Sequence, residues 1–184
     1  MIIGLAALVA GLSGCGSAPG EREFRKGVKT FNEGFYVRAR AAFEKSLSKR
    51  PAENIGNADA YNYLGIIYWK LGHLEQALGA FEDSQRLNPD LMEPHYNLAC
   101  LLLESGEETR ALELLEQARL LNTEDPTALE KLGEIHLKNR NWAEARTALH
   151  EARSRAPESV RVLTALAVSE LHSQGPSEAQ PHLL

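Results

Sequence analysis

Along residues 59–89 the apolar positions recur at helical spacing. Tyr61, Leu64, Gly65 and Tyr68 stand three and four residues apart, which returns each to one face of a helix, and Ala77, Phe81 and Ser84 repeat the pattern further on. Between the two stripes lies Gly72-His73, and Gly suits the left-handed residue that closes many helices. The pattern predicts two antiparallel helices, closest where the small residues Gly65 and Ala77 stand, with the second ending at Asn88-Pro89. A single hairpin of this kind cannot bury both its faces, so it demands neighbours.

Sliding this stretch along the chain supplies them. Gly65 aligns with Gly27, Ala99, Gly133 and Ala167, at intervals of 38, 34, 34 and 34 residues. The third copy carries Tyr96-Asn97-Leu98-Ala99, Gly106, Ala111, Leu115 and Ala118, with its closing proline displaced to Pro126. The fourth has Leu132-Gly133, Trp142, Ala145, Leu149, Ala152 and Pro157. The first shows Ala39, Phe43 and Pro51, and its extra residues fall in the loop 51–57. In the fifth, Leu163, Leu166 and Ala167 are in phase, while Val162, Val168 and Leu171 add apolar surface. Gln174-Gly175-Pro176 then interrupts; Ala179 and Leu183 keep the register, but Pro181 bars a full second helix.

This pattern resembles the tetratricopeptide repeat, whose period is about 34 residues. The resemblance implies an all-α chain, a right-handed α-α superhelical solenoid of about four and a half hairpins over residues 21–175. The repeats fall near 21–53, 58–91, 92–125 and 126–159, with a partial copy in 160–184.

Composition adds exclusions. The net charge of −5 and the abundance of Ala, Leu and Glu suit a helical body, and argue against nucleic acid, which calls for a concentrated basic face. Cys15 and Cys100, the two cysteines, imply no disulfide framework.

Residues 2–12 are apolar and uncharged. The run is shorter than the roughly 20 residues a spanning helix needs, and matches the hydrophobic region of a secretory signal. It closes on Leu12-Ser13-Gly14-Cys15, which resembles the bacterial lipoprotein box, although no Lys or Arg precedes Ile2. The resemblance implies a signal peptide in 1–14, lipid on Cys15, and a flexible linker through Gly20. Gly16, where inner-membrane members carry Asp, implies an outer membrane site facing the periplasm.

In a stack of such hairpins the first helices line the concave side. Beside the core stripe lies a second one: Phe24, Val28 and Phe31 in the first copy, and Asn62, Ile66 and Trp69 in the second. Tyr96, Cys100 and Leu103 continue it in the third copy, and Glu130, Glu134 and Leu137 in the fourth. These residues either form a partner groove, apolar through three copies and acidic at the fourth, or fill the superhelix themselves. The expected ligand is an apolar helix or extended segment with basic flanks. The Lys, Arg and Asn clamp with which some family members hold acidic chaperone tails is not present here.

No catalytic, cofactor or metal site is expected. His150-Glu151 begins like a zinc-protease box, but position 154 is Ser. His95 and His136 occupy core positions of their copies, whereas His73 and His172 show no evident partner. The anchor and repeats together resemble the pilotin lipoproteins that assist assembly of type IV pilus secretins. They imply a non-enzymatic envelope adaptor. The alternatives are a periplasmic scaffold docking cell-wall enzymes, or an enzyme subunit.

Overall fold

This computed structural model of the chain describes residues 18–173. The expected signal peptide, Cys15 and the break at residues 174–176 lie outside the described residues. Those residues are all-α, ordered as α1 (Glu21–Asn32), α2 (Tyr36–Leu47), a 3-10 turn (Ile55–Asn57), α3 (Ala58–Lys70) and α4 (Leu74–Leu87). There follow α5 (Met92–Glu104), α6 (Glu108–Leu121), α7 (Thr127–Lys138), α8 (Trp142–Arg155) and α9 (Val160–Ser173). The chain divides into two compact units, Met1–Leu114 and Leu115–Leu184.

The helices end where local chemistry ends them. Gly34, Gly72 and Gly106 take left-handed φ values of 81°, 79° and 83° at the exits of α1, α3 and α5. In each case the next amide reaches back five residues, from Phe35 to Thr30, His73 to Tyr68 and Glu107 to Leu102. This is the hydrogen-bond pattern that satisfies a helix's last carbonyls. The fourth exit is identical in geometry, with Asn141 bonded to His136, but Arg140 takes the left-handed place at φ 60°.

In the first unit, α1 packs on α2 and α3 on α4, and the hairpins join through α2 with α3 and α4 with α5. Phe24, Ala39, Phe43, Ala60, Tyr63, Leu64, Ile67 and Ala80 form a continuous core, with Tyr61 and Tyr68 half-buried against it. Two buried serines tie second helices back to the start of their hairpins: Ser46 Oγ donates to the Gly20 carbonyl at 2.8 Å and Ser84 Oγ to that of Ala58 at 2.7 Å. The extra residues of the first copy make an ordered turn. Arg50 clips it by donating to the carbonyls of Pro19 and Gly56 while pairing with Glu21.

In the second unit α7, α8 and α9 pack mutually around Leu129, Leu149, Ala152, Val162 and Leu166. Val162, expected to add outer apolar surface, is instead fully buried, whereas Val168 and Leu171 are exposed. Leu163 and Ala167, expected in phase with the core, are exposed. His172 also has a partner: its ring stacks on Trp142, with centroids 4.6 Å apart.

Candidate interaction surface

The second stripe on the first helices was expected to lie open or to fill the interior, and the structure divides it. Phe24 is buried, flanked edge-on by Phe43 and Tyr63 and roofed by the Arg50 guanidinium. Asn62, Ile66, Tyr96 and Cys100 are likewise buried. The physical reason is that a central first helix is covered on more sides than its own hairpin supplies. Residues 62–67 of α3 are buried without interruption, and so are residues 94–102 of α5. A helix buried all round leaves no open face along its middle.

Tyr63 does much of this covering and belongs to neither expected stripe. Its ring stacks on Phe43 at 4.9 Å and meets Phe24 and Phe31 edge-on, the latter at 5.1 Å, so Phe24 and one side of the half-exposed Phe31 pack on the second copy. Between α3 and α5, Asn97 Nδ2 donates to Asn62 Oδ1 at 3.0 Å, a pairing of two buried amides that the repeat period did not reveal.

What stays accessible is the C-terminal end of the stripe. Phe31, Trp69 and Leu103 are half-exposed there, as is Val28 in the middle of the first copy's stripe, and Lys70 and Glu104 are exposed beside Trp69 and Leu103. Phe31, Trp69 and Leu103 occupy the same position in three successive copies. Trp69 Nε1 donates to Glu104 Oε2 at 2.7 Å, and Lys70 Nζ lies over the Tyr36 ring at 5.4 Å. The indole is therefore held in place by a carboxylate from the next hairpin, with part of its ring still open. His73 closes the same end, edge-on to Tyr68.

In the second unit the expected acidic stretch is already neutralised. Glu130 is buried and meets Arg161 at 3.3 Å, and Ser159 Oγ donates to its other oxygen. Glu134 accepts from Arg161 at 2.7 Å and from Lys131. Burial raises the Glu134 carboxyl, but those hydrogen bonds and charges outweigh it and hold the group below its ordinary value. Both carboxylates, expected to receive basic flanks of a ligand, are spent on cations of this chain; Leu137 beside them is half-buried.

His95 is buried, with ring Nδ1 2.9 Å from the Leu91 carbonyl. His136 is half-buried, and its Nδ1 finds no hydrogen-bond partner among the described residues. Among the described residues no group of three or more His, Cys, Asp or Glu could hold a metal ion, and no helix is long and apolar enough to cross a membrane.

Residues 58–91 and residues 102–168, together more than half of the chain, match the tetratricopeptide repeat. Human tetratricopeptide repeat protein 8 is 34% identical over 58 residues, which are 32% of this chain and 11% of that protein. The match thus spans about a tenth of the relative's length. Among solved structures, MamA superposes with a TM-score of 0.70 over 84% of this chain and 82% of its own, at 22% identity. YrrB, described as a repeat protein of this kind with an unusual peptide-binding site, gives 0.66 over 84% of this chain and 78% of its own, at 19% identity.

Proposed function

Because the chain belongs to the tetratricopeptide-repeat family, we propose that it is a non-enzymatic adaptor that holds a protein partner while tethered by lipid at Cys15. The observation that carries the binding role is the recurrence of Phe31, Trp69 and Leu103, half-exposed, at one position of three successive hairpins. Aromatic and aliphatic groups repeated at fixed spacing suit an apolar segment laid across the helix ends, and Trp is a common anchor in such interfaces. The peptide-binding site ascribed to YrrB is consistent with this use of the fold. Basic flanks are not part of the ligand proposed here, since Glu130 and Glu134 are paired within the chain.

The tether and its place rest on the sequence. The apolar run 2–12 and the box ending at Cys15 support a lipoprotein, and Gly16 supports the outer membrane of a bacterial envelope, facing the periplasm. Within that setting the adaptor is assigned to assembly or targeting of an envelope complex such as a pilus secretin. A photo-crosslinking residue at Leu103, compared with one at exposed Glu82, tests the surface in native envelopes. Adducts with a protein at Leu103 alone support the reading; adducts at Glu82 alone place binding elsewhere. Loss of secretin multimers on deletion of the protein is the expected cellular result, and intact multimers would sink the assignment to that complex.

A further inference from the structure

The first hairpin is far more basic than the rest of the chain taken together. Residues 21–50 hold nine Lys and Arg against four Glu, whereas the rest of the chain holds eleven Lys and Arg against twenty-one Asp and Glu. Five of those cations, Arg22, Lys26, Arg38, Lys45 and Lys49, surround a depression of about 630 Å³ that also exposes Ala41. Its lining belongs entirely to α1, α2 and the turn just after α2.

The cations are largely uncommitted. Glu23, which also lines the depression, accepts a hydrogen bond from Lys49 at 2.5 Å. The other ion pairs of the hairpin engage Arg25, Lys29, Arg40 and Arg50. Arg22, Lys26, Arg38 and Lys45 form no ion pair among the described residues and are exposed. At one end of this face Phe35 and Val37 are 51% and 62% exposed, and the Arg38 guanidinium lies 5.2 Å from the Phe35 ring centre.

Like charges gathered on one face repel one another unless an anion answers them. The depression is wide, open and two helices across, and exposed Phe35 lies against Arg38, one of the residues that line it, with exposed Val37 next to Arg38 in the chain. That form matches a plane of anionic headgroups, where apolar groups enter the interface and cations meet phosphates. We propose that this face of α1 and α2 lies on an anionic phospholipid surface. The proposal rests on the anchored reading given above, since Cys15 lies just before Glu21 and would hold the hairpin at the bilayer. Residues 51–114 of the same unit, with eleven Asp and Glu against three Lys and Arg, would then be repelled by that surface and left to a partner.

The two readings fail separately. In the full chain carrying Cys15→Ser, lipid is removed from the problem, and sedimentation with vesicles of phosphatidylcholine is compared with vesicles containing phosphatidylglycerol. A preference for the anionic vesicles of about tenfold or more is expected, falling as salt is raised from about 0.05 to 0.5 M. The triple variant Lys26→Glu, Arg38→Glu, Lys45→Glu abolishes it, and the neutral triple variant to Gln, kept as a control on folding, reduces it. No preference, or one unchanged in both variants, overturns the proposal, and leaves the tether intact if the native protein still fractionates with membranes. A preference for a soluble Asp- and Glu-rich peptide over the anionic vesicles also overturns it, in favour of an acidic protein partner.

Discussion

The ring of Phe81 lies over Gly65 so closely that a Cβ at that position would stand 2.5 Å from its Cε1 atom. The same approach recurs where Phe43 covers Gly27 at 2.7 Å and where Leu149 covers Gly133 at 2.5 Å. Glycine here sets how near the second helix comes to the first. Replacing Gly65 by Ala favours the helix by up to about 1 kcal/mol in propensity, but forces the ring aside, which costs typically about 1–3 kcal/mol. Gly65→Ala is therefore expected to lower stability. Gly79, inside α4 with nothing within 4 Å of its added Cβ, gives the opposite sign: Gly79→Ala is expected to stabilise by about 0.5–1 kcal/mol. Urea unfolding midpoints of the two variants decide it; destabilisation by both would mean that the close approach is not the cause.

Arg140 sits at φ 60° where the three earlier exits carry Gly. A non-glycine residue in that region is disfavoured by about 1–2 kcal/mol, against which glycine's greater freedom in the unfolded chain must be set. Arg140→Gly is expected to stabilise the chain by about 0.5–1 kcal/mol, and Gly72→Ala to destabilise it by about 1 kcal/mol. Thermal unfolding reads both; a fall in midpoint for Arg140→Gly would show that its side chain has a role outweighing the backbone strain.

These relationships show what a repeat pattern can and cannot reveal. Gly65, Ala77, Phe81 and Gly72 were legible because they pack or turn within one hairpin, and recur at the repeat interval in other copies. Tyr63 was not, because its place is set by Phe31 and Phe43 of the preceding hairpin, which no period within its own helix encodes. The accessible surface was half legible for the same reason. The stripe through Asn62, Ile66 and Trp69 has the right spacing to line a concavity, yet only contacts between copies decide that its middle is covered and its end stays open. Arg161, four residues beyond Pro157, gave no sequence sign that it would pair with both Glu130 and Glu134.

The Asn62–Asn97 pair joins α3 to α5 through buried amides. Removing one partner leaves the other amide short of this bond, at a cost of about 1–3 kcal/mol, whereas removing both takes that unmet group away as well. A double-mutant cycle with Asn62→Leu and Asn97→Leu is expected to show a coupling of about 1 kcal/mol, the double variant being less damaged than the sum of the singles. Strict additivity in urea unfolding would mean that the two amides are satisfied independently.

Trp69 is held by Glu104 but not hidden, which separates two roles of its ring. If it anchors the partner, Trp69→Ala weakens binding by about 2 kcal/mol with little change in helix content. Trp69→Phe keeps ring area but loses the Nε1–H donor, and is expected to lie between. Partner affinity by calorimetry, with circular dichroism alongside, makes the test; unchanged affinity in a folded Trp69→Ala protein moves the site away from the helix ends.

Glu134 links stability to pH. Its folded pKa is lowered from 4.5, because hydrogen bonds and charge from Lys131 and Arg161 overcome the effect of burial. A depressed carboxyl stabilises the fold above its unfolded pKa, and that contribution is lost as pH falls through the folded value. Arg161→Met removes one of the two hydrogen-bond donors that lower it. The variant is therefore expected to be less stable than the parent at about pH 7, with the gap shrinking as the pH falls through the folded value of the parent's carboxyl. Because both side chains are partly exposed, added salt also narrows the gap. Thermal midpoints across this range give the answer: a gap that stays constant into acid would mean that Arg161 acts through packing of its aliphatic stem rather than through charge.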